Sequence, residues 1–284
     1  MDRRRFVLLV TLAGVLSGWS SARGGEKLRR LRWSLTIENP TAELLSDQKV
    51  WIYVPLESGS AQRLVSFDVS TEHGRQIDQI GNCIVQMDFP SVPAFSTRVV
   101  TFDALLDMAA RSTAELLNNG NPWLTSENYI ESDSPDIRAL SGQLRGESVA
   151  ETVKSIYDWV KQNIRYAGFI ADDLGAAYAL RERRGDCTEY AYLTVALARA
   201  AGVPARAVGG YVLEQDSTLR ASDYHNWAEV YVDGAWLLVD PQKGCFNASY
   251  ERYVVFRRIS SRVLNPLGAA HRYTIQGRVI VRFG

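Results

Sequence analysis

Residues 145–240 change from helical to strand periodicity, and this change constrains the fold more than any other feature of the sequence. The first apolar run recurs at 3.6-residue spacing, and its members are Val153, Ile156, Tyr157, Val160 and Ile164. Ser148 and Glu151 have capping-box spacing, in which their side chains satisfy free backbone N–H groups. The pattern therefore predicts a helix that opens at Ser148 and ends near 164–165.

A second helix is predicted to start at about Cys187. Its buried stripe would consist of Tyr190, Leu193, Leu197 and Ala200. Gly202 is a natural C-terminal cap, and Pro204 prevents the helix from continuing.

The period then falls to 2, which is typical of strands. Candidate strands cover 205–213, 227–232 and 235–239, and Asp233-Gly234 between the last two is a strong hairpin signal. Helices followed by antiparallel strands indicate an α+β unit over 145–284, with the helices packed on the sheet.

The preceding residues indicate a different, β-rich unit. Turn residues such as those at 57–60 and 90–93 separate five short predicted strands, at 33–37, 50–54, 63–69, 83–89 and 97–102. We therefore expect a small β-sandwich-like domain over 27–103. Residues 104–144 read as a connector, in which 104–117 could be helical and 118–122 and 131–135 are loops.

Length and charge agree with this division. A chain of 284 residues is long enough for two folded units, and 46% hydrophobic content supplies a core for each. The 32 basic and 32 acidic residues cancel, so no overall field favours nucleic acid or an anionic membrane as a partner.

The first residues resemble a targeting segment. Basic residues at 3–5 precede an apolar run at 6–15 that is too short to span a bilayer comfortably, and small residues follow at 20–22. The basic run also resembles a twin-arginine export signal. We predict a signal peptide over 1–22 and a periplasmic or secreted protein with no membrane span after cleavage; the alternative is an uncleaved N-terminal anchor.

The chain has three cysteines, and an odd count leaves at least one unpaired in an exported chain. A disulfide between Cys83 and Cys245 is one reading, and two buried free thiols are the other. Cys187 differs from both because Gly185 permits a sharp turn and a helix follows at once. The helix dipole and the free N–H groups at such a terminus favour a thiolate and can receive an oxyanion.

His225 and Asp240 are the residues that could assist this thiol. An imidazole transfers protons in both directions near neutral pH. A hairpin centred on 233–234 pairs position 240 near 227, so Asp240 should lie beside the start of the His225 strand. Each of the three residues also has a structural interpretation when it is taken alone. Cys187 could be a core cysteine, His225 a surface histidine, and Asp240 an Asp that makes a turn before Pro241.

Taken together, the motifs resemble the transglutaminase-like superfamily of papain-type cysteine enzymes. The resemblance covers about a third of the chain, near 145–245, and its motifs are Gly185-Asp186-Cys187, Ala201-Gly202-Val203-Pro204-Ala205-Arg206, Gly210-Tyr211, His225-Asn226-Trp227-Ala228-Glu229-Val230-Tyr231, Gly234-Ala235-Trp236 and Asp240-Pro241. The order and spacing of Cys187, His225 and Asp240 suit that family. Asn226, where small residues are frequent, and Gln242 depart from its pattern without removing a catalytic group.

The resemblance implies a catalytic triad with Cys187 as nucleophile, His225 as base and acid, and Asp240 as the orienting carboxylate. It implies a peptidase or amidase that passes through a thioester on Cys187, with transamidation if an amine replaces water. Protein or peptide is the expected substrate, and no cofactor or metal is expected. Tyr166 is a guess for the family's upstream oxyanion donor.

Other functions fit the sequence less well. A zinc site needs about four clustered ligands, whereas three His and three Cys are scattered along this chain. No glycine-rich phosphate loop is present. The remaining alternative is a non-catalytic scaffold or binding module of the cell envelope, because a fold never guarantees activity.

Overall fold

The computed structural model describes residues 27–114, 117 and 121–284, so the predicted signal peptide lies outside the described residues. The first part of the described chain consists of six strands. They are β1 (Lys27–Glu38), β2 (Leu45–Val54), β3 (Gln62–Val69), β4 (Gly74–Ile77), β5 (Cys83–Val92) and β6 (Thr97–Met108).

The remainder contains four helices and ten strands within the described residues. In chain order they are α1 (Pro135–Gln143), α2 (Val149–Asn163), β7 (Arg165–Tyr166), α3 (Ala176–Glu182), β8 (Arg184–Gly185), α4 (Cys187–Ala200), β9 (Ala205–Val212), β10 (Ser217–Thr218), β11 (Tyr224–Val232), β12 (Ala235–Asp240), β13 (Cys245–Phe246), β14 (Tyr253–Ile259), β15 (Tyr273–Gln276) and β16 (Ile280–Phe283). The fold class is α+β, as the sequence predicted.

Two sheets form the β-sandwich. One contains β10, β1, β6 and β3, with β16 also paired to β1, and the other contains β15, β2, β5 and β4. Alternate residues of β1 and β6 turn inward and bury Leu31, Leu35, Ala104 and Leu106 against the apolar face of the second sheet. This period-2 burial is what the alternating sequence predicted.

The helical prediction over 104–117 is wrong for its first residues, because β6 continues to Met108. Residues 102–108 alternate between buried and half-buried, and β6 pairs with β1 along its whole length. Long-range pairing thus overrides a local apolar run. The predicted turn at 90–93 also begins later, since β5 runs to Val92. Pro90 lies opposite Asp47, whose φ of +54° interrupts the ladder there.

The other predicted elements are confirmed within a few residues. The two helices run over 149–163 and 187–200, and the three strands over 205–212, 224–232 and 235–240. Asp233 and Gly234 have φ of +50° and +85°, the signs that a two-residue type I′ hairpin requires. The sequence did not predict α1, α3 or β14.

An antiparallel sheet in the order β13-β12-β11-β9-β14 supports the site. One face packs on α2 and α4 through small residues such as Ala205, Ala207 and Ala228. The opposite face packs against the sandwich through Val208, Trp227 and the loop residue Leu56. Both faces are buried, and every residue of β9 except Val212 is therefore buried.

Strands from the second half of the chain complete the sandwich. β16 pairs with β1, β15 pairs with β2, and β10 adds two residues parallel to β1. Strand pairing therefore crosses the division that the sequence placed at 103 and 144, and that division remains a prediction. Helix α1 lies inside the predicted connector, where the Ser141 hydroxyl donates to the Leu197 carbonyl at 2.9 Å.

A buried ion pair also joins the sheet to the sandwich. The Arg206 guanidinium donates to the Glu229 carboxylate at 2.7 Å and to the Ser60 hydroxyl, which itself donates to Glu229 at 2.9 Å. The same guanidinium lies over the Trp236 ring at 3.7 Å. Buried charges are tolerated only when they are paired, so this network fixes how β9 and β11 sit on the sandwich.

Across the described residues, no helix is both long enough and apolar enough to cross a membrane.

Candidate active site

Cys187 is the first residue of α4, and two buried carboxylates organise the turn before it. The Asp186 side chain caps the helix by accepting from the Thr188 amide at 2.7 Å. The Glu189 carboxylate reaches back to accept from the Asp186 amide at 3.0 Å, which completes a capping box. The sulfur therefore stands at a helix N-terminus, as the sequence predicted.

Gly185 is required by close packing in this turn. A Cβ at this position would lie 2.3 Å from Cβ and 2.9 Å from Cγ of Glu189. Only glycine lets the β8 backbone approach the head of the helix so closely. This glycine, two positions before Cys187, thus serves the capping carboxylate as well as the turn.

His225 and Asp240 meet at the ends of two neighbouring strands. Nε2 of His225 and Oδ2 of Asp240 are 2.8 Å apart, and both side chains are buried. The register pairs Ala228 with Val239, so the hairpin brings the start of β11 beside the end of β12, as predicted. In this pairing Asp240 is in contact with Nε2, and Nδ1 is the ring nitrogen that Asp240 leaves free.

Two further groups hold the Asp240 carboxylate, and the sequence reading missed both. The Tyr253 hydroxyl donates to Oδ2 at 3.0 Å, and the Lys243 amide donates to Oδ1 at 3.0 Å. Tyr253 is the first residue of β14, which lies on the far side of β9. The apolar run at 253–256 signals a strand, but no local pattern shows which carboxylate its first residue would reach.

Cys187 lies beside this pair. Among the described residues, no hydrogen bond joins the Cys187 sulfur to the His225 imidazole. The backbone amide of Asn226, the residue after His225, lies close enough to stabilise a thiolate, as does the Thr188 hydroxyl. The Asn226 side chain donates to that hydroxyl at 2.9 Å. The structure therefore brings the three predicted residues to one place, with His225 and Asp240 in direct contact.

The surroundings of the Cys187 thiol oppose its ionisation when no other group ionises with it. Burial raises the pKa of the Cys187 thiol to about 12, and the Asp186 carboxylate adds to the rise. The Asn226 amide and the Thr188 hydroxyl act in the opposite direction. A thiolate here must form together with a nearby cation, because a buried anion alone is costly.

Burial also raises the pKa of Glu189, to about 7. Its two amide hydrogen bonds favour the carboxylate, but the neighbouring Asp186 carboxylate disfavours it. Two carboxylates in one buried turn cannot both ionise freely.

Aromatic packing shields the His225–Asp240 contact. The Trp227 ring is stacked near His225 at a centroid distance of 6.2 Å and meets the Tyr253 ring edge-on at 5.1 Å. Trp227 and Trp236 are both buried, so they take the packing role rather than flanking an open cleft. Exclusion of water at this contact strengthens its electrostatics.

The other polar candidates lie elsewhere or have other partners. All three cysteines are free, so Cys83 and Cys245 form no disulfide; Cys83 is buried and Cys245 is half-buried. His73 is an exposed loop residue. Arg183 lies over the Trp159 ring at 4.4 Å, and Arg184 is exposed. Tyr166 pairs with Gly185 in the β7–β8 ladder, two residues from the nucleophile.

Comparison with known proteins agrees with this geometry. Residues 138–241 match the family model described as the transglutaminase-like superfamily, and this range contains Cys187, His225 and Asp240. A UPF0252 protein of Methanocaldococcus jannaschii is 24% identical over 186 residues, which cover 57% of this chain and 53% of that protein. The match thus spans about half the length of this curated relative.

Solved structures with the same fold are also known. A crystal structure from Cytophaga hutchinsonii, described as that of a "putative cysteine protease", is 19% identical, with a TM-score of 0.65 over 90% of this chain and 88% of that one. At this identity the likeness concerns the fold alone. The periplasmic domain of TgpA from Pseudomonas aeruginosa has a TM-score of 0.41 at 18% identity, covering 81% of this chain and 92% of that one.

Proposed function

Because the chain belongs to the transglutaminase-like superfamily through residues 138–241, we propose that it is a cysteine-dependent acyl-transfer enzyme. In this proposal it hydrolyses a peptide or carboxamide bond. Cys187 is the nucleophile, His225 transfers the proton, and Asp240 orients the imidazole. Protein or peptide is the substrate, and no metal or cofactor takes part.

The proposed reaction moves one proton between the sulfur and Nδ1 of His225. As the Cys187 sulfur attacks the carbonyl carbon, its proton passes to Nδ1, and Asp240 at Nε2 stabilises the imidazolium. The C–N bond then breaks, the amine leaves with that proton, and a thioester remains on Cys187. Water adds with His225 as base, the C–S bond breaks, and the thiol recovers its proton. An amine in place of water would give transamidation.

The observation that carries this proposal is the buried 2.8 Å contact between His225 and Asp240, beside the helix terminus that bears Cys187. Asp240 occupies Nε2 and so directs Nδ1 to the reacting proton. The backbone amide of Cys187, at the head of α4, is suited to an oxyanion on the bound acyl group. Catalytic hydrogen bonds in unliganded enzymes are often long, which suits a sulfur that does not yet bond to the imidazole.

The pKa of about 12 at Cys187 is the observation that favours a second candidate, a non-catalytic scaffold or binding module. A scaffold thiol would ionise alone and therefore react only in alkaline solution. In the enzyme, ionisation is coupled to protonation of His225, so alkylation of Cys187 should begin near neutral pH.

Site-resolved alkylation separates these two candidates. The protein is treated with iodoacetamide across pH 5–10, and peptide mass spectrometry measures labelling at each cysteine. Half-buried Cys245 serves as the internal control. We expect Cys187 to react below the pH at which Cys245 does, and His225→Ala to remove this advantage. A Cys187 profile that follows Cys245 would favour the scaffold.

Activity on peptides tests the reaction itself. Purified protein is incubated with an envelope peptide library, with and without an added primary amine, and products are identified by mass. We expect carboxylate products, and loss of at least about a thousandfold in rate for Cys187→Ala. The melting temperature of that variant should remain near the wild-type value. Full activity without the sulfur would exclude the proposed mechanism.

The proposal also places the enzyme outside the cytoplasm. Its support is the basic, apolar and small-residue order of residues 1–22. Expression of the full chain followed by intact mass measurement should give a mature protein that starts at Arg23. A protein that retains residues 1–22 would favour the alternative of an uncleaved anchor.

A further inference from the structure

Residues 167–175, here called the rim, run beside the turn that carries the nucleophile. The strand that precedes the rim, β7, is parallel to β8, and Tyr166 lies opposite Gly185. The Ala167 amide donates to the Gly185 carbonyl at 2.9 Å. The first residues of the rim therefore follow the backbone that leads into Cys187, and any substrate at the sulfur passes close to them.

Two buried carboxylates of the helix head fix the rim backbone. The Asp186 carboxylate accepts from the Ile170 amide at 3.0 Å, and the Glu189 carboxylate accepts from the Leu174 amide at 3.0 Å. Hydrogen bonds to charged acceptors in a buried setting are stronger than ordinary amide bonds. The same groups that cap α4 therefore also hold the rim against it.

A third carboxylate, which belongs to the rim itself, also holds the rim in place. Asp173 accepts from the Tyr192 hydroxyl at 2.8 Å, and its second oxygen lies 2.9 Å from Nε2 of His271. Tyr192 belongs to α4, and His271 lies in the segment before β15. The rim is thus fixed at four of its nine residues, Ala167, Ile170, Asp173 and Leu174, by bonds to separate parts of the protein.

Two aromatic rings stand exposed at the start of this fixed segment. Phe169 is 86% exposed and Tyr166 is 51% exposed, although the residue after Phe169 is held by the Asp186 carboxylate. Exposed aromatic rings on a fixed backbone offer apolar area to a binding partner. Because the backbone is already fixed, ordering these rings on a ligand costs little conformational entropy.

We propose that Tyr166 and Phe169 form the substrate-selecting surface of this enzyme, which favours peptides with a large apolar side chain next to the attacked carbonyl. This inference rests on the proposed function. The two rings offer apolar contact on the approach to Cys187, where a substrate side chain beside the carbonyl would be in reach. Burial of that side chain against the rings removes apolar surface of both partners from water.

The charged side chains near the rim offer a substrate a poorer binding surface than the two aromatic rings do. Asp173, Asp186 and Glu189 are occupied by the hydrogen bonds already described, so they are not free to bind a basic side chain. The remaining exposed charges are of both signs, with Arg165 and Arg184 beside β7 and β8 and Asp172 on the rim. Exposed single charges contribute little to affinity in water.

Binding to an inactive full-length protein tests the inference without requiring catalysis. Fluorescently labelled peptide amides that differ at one position, with Phe, Ala, Glu or Lys, are titrated onto Cys187→Ala and followed by anisotropy. The same titrations use Cys187→Ala combined with Phe169→Ala. The matched control combines Cys187→Ala with Phe95→Ala, because Phe95 is another exposed phenylalanine, at 71%, on the sandwich.

We expect the Phe peptide to bind about tenfold more tightly than the Ala peptide. Phe169→Ala should remove most of that difference, and Phe95→Ala should leave it unchanged. Equal binding of the Phe and Ala peptides, tighter binding of the Glu or Lys peptide, or no binding at all would overturn the inference. So would a Phe preference that survives Phe169→Ala.

Alkylation keeps this result separate from the proposed function. Iodoacetamide labelling of Cys187 in the single variant Phe169→Ala should match the wild-type rate, because iodoacetamide carries no large apolar side chain for the Phe169 ring to bind. Normal labelling with no peptide preference would refute the selecting surface and leave the nucleophile intact. Ordinary-thiol labelling together with a Phe169-dependent preference would refute the enzyme and leave the surface as a peptide-binding site.

Discussion

Replacing Gly185 by alanine tests whether the capping turn holds the nucleophile in place. The new Cβ would lie 2.3 Å from Cβ of Glu189 and 3.3 Å from its Oε2. Cβ of Glu189 is fixed by the helix backbone, so a rotamer change cannot relieve the closer contact. The turn and the helix head must instead separate by about 1 Å in a close-packed region.

The expected cost has two parts. Overpacking of a buried site costs about 1–3 kcal/mol. Separation also stretches the 3.0 Å bond from the Asp186 amide to Glu189, and a hydrogen bond contributes about 0.5–1.5 kcal/mol. Allowing for partial relaxation, we expect a loss of about 2–4 kcal/mol in the free energy of unfolding. For a chain of this size the melting temperature should fall by about 5–15 °C.

Thermal unfolding followed by circular dichroism measures this change, and Gly142→Ala provides the matched control. Gly142 lies in α1 with nothing within 4 Å of an added Cβ, so the same substitution there should be neutral or slightly stabilising. We also expect Gly185→Ala to slow the alkylation of Cys187 near neutral pH. Equal melting temperatures for the two variants would refute the packing argument.

Three further predictions concern charge and hydrogen bonding. Glu229→Ala leaves Arg206 buried without its carboxylate, so chemical denaturation should show a loss of about 3–5 kcal/mol in the free energy of unfolding. The control variant Asp103→Ala, which breaks an exposed pair, should lose at most about 1 kcal/mol, and similar losses in the two variants would contradict the assigned burial. The pKa of Glu189, raised to about 7, exceeds its unfolded value, so its contribution to stability is complete below the unfolded pKa and disappears as pH rises through about 7. The melting temperature should therefore fall between pH 5 and pH 8 by more in the wild type than in Glu189→Gln, and parallel curves would exclude this linkage. Tyr253→Phe removes one donor to Asp240 without changing shape, so kcat/KM should fall about tenfold with little change in KM, and a change in KM alone would show that Tyr253 acts on binding instead.

Much of the site could be predicted from sequence because its signals are local. A glycine before the cysteine and an apolar stripe after it specify a turn followed by a helix, and α4 begins at Cys187 as expected. The dipeptide at 233–234 specifies a tight hairpin, whose register alone places Asp240 beside the strand of His225. Short-range geometry therefore sufficed to identify the two residues that are in direct contact.

Other parts of the site depend on partners that are distant in sequence. Tyr253 reaches Asp240 only because β14 lies across β9 from the hairpin. The rim is fixed by carboxylates more than a dozen residues away, and by His271, which is 98 positions from Asp173. Periodic sequence patterns do not encode such contacts, because a pattern reports the conformation of its own segment and not the distant segment that it contacts.

The sequence by itself determined the α+β class, the two main helices and the hairpin, and it predicted Cys187, His225 and Asp240 as the site residues. The tertiary structure decided that β6 continues to Met108, that β15 and β16 return to the sandwich, and that Asp186 and Glu189 hold both the helix and the rim. The physical reason is that hydrophobic period and turn chemistry act over a few residues. Strand partners and buried polar contacts are instead selected among all segments of the chain at once.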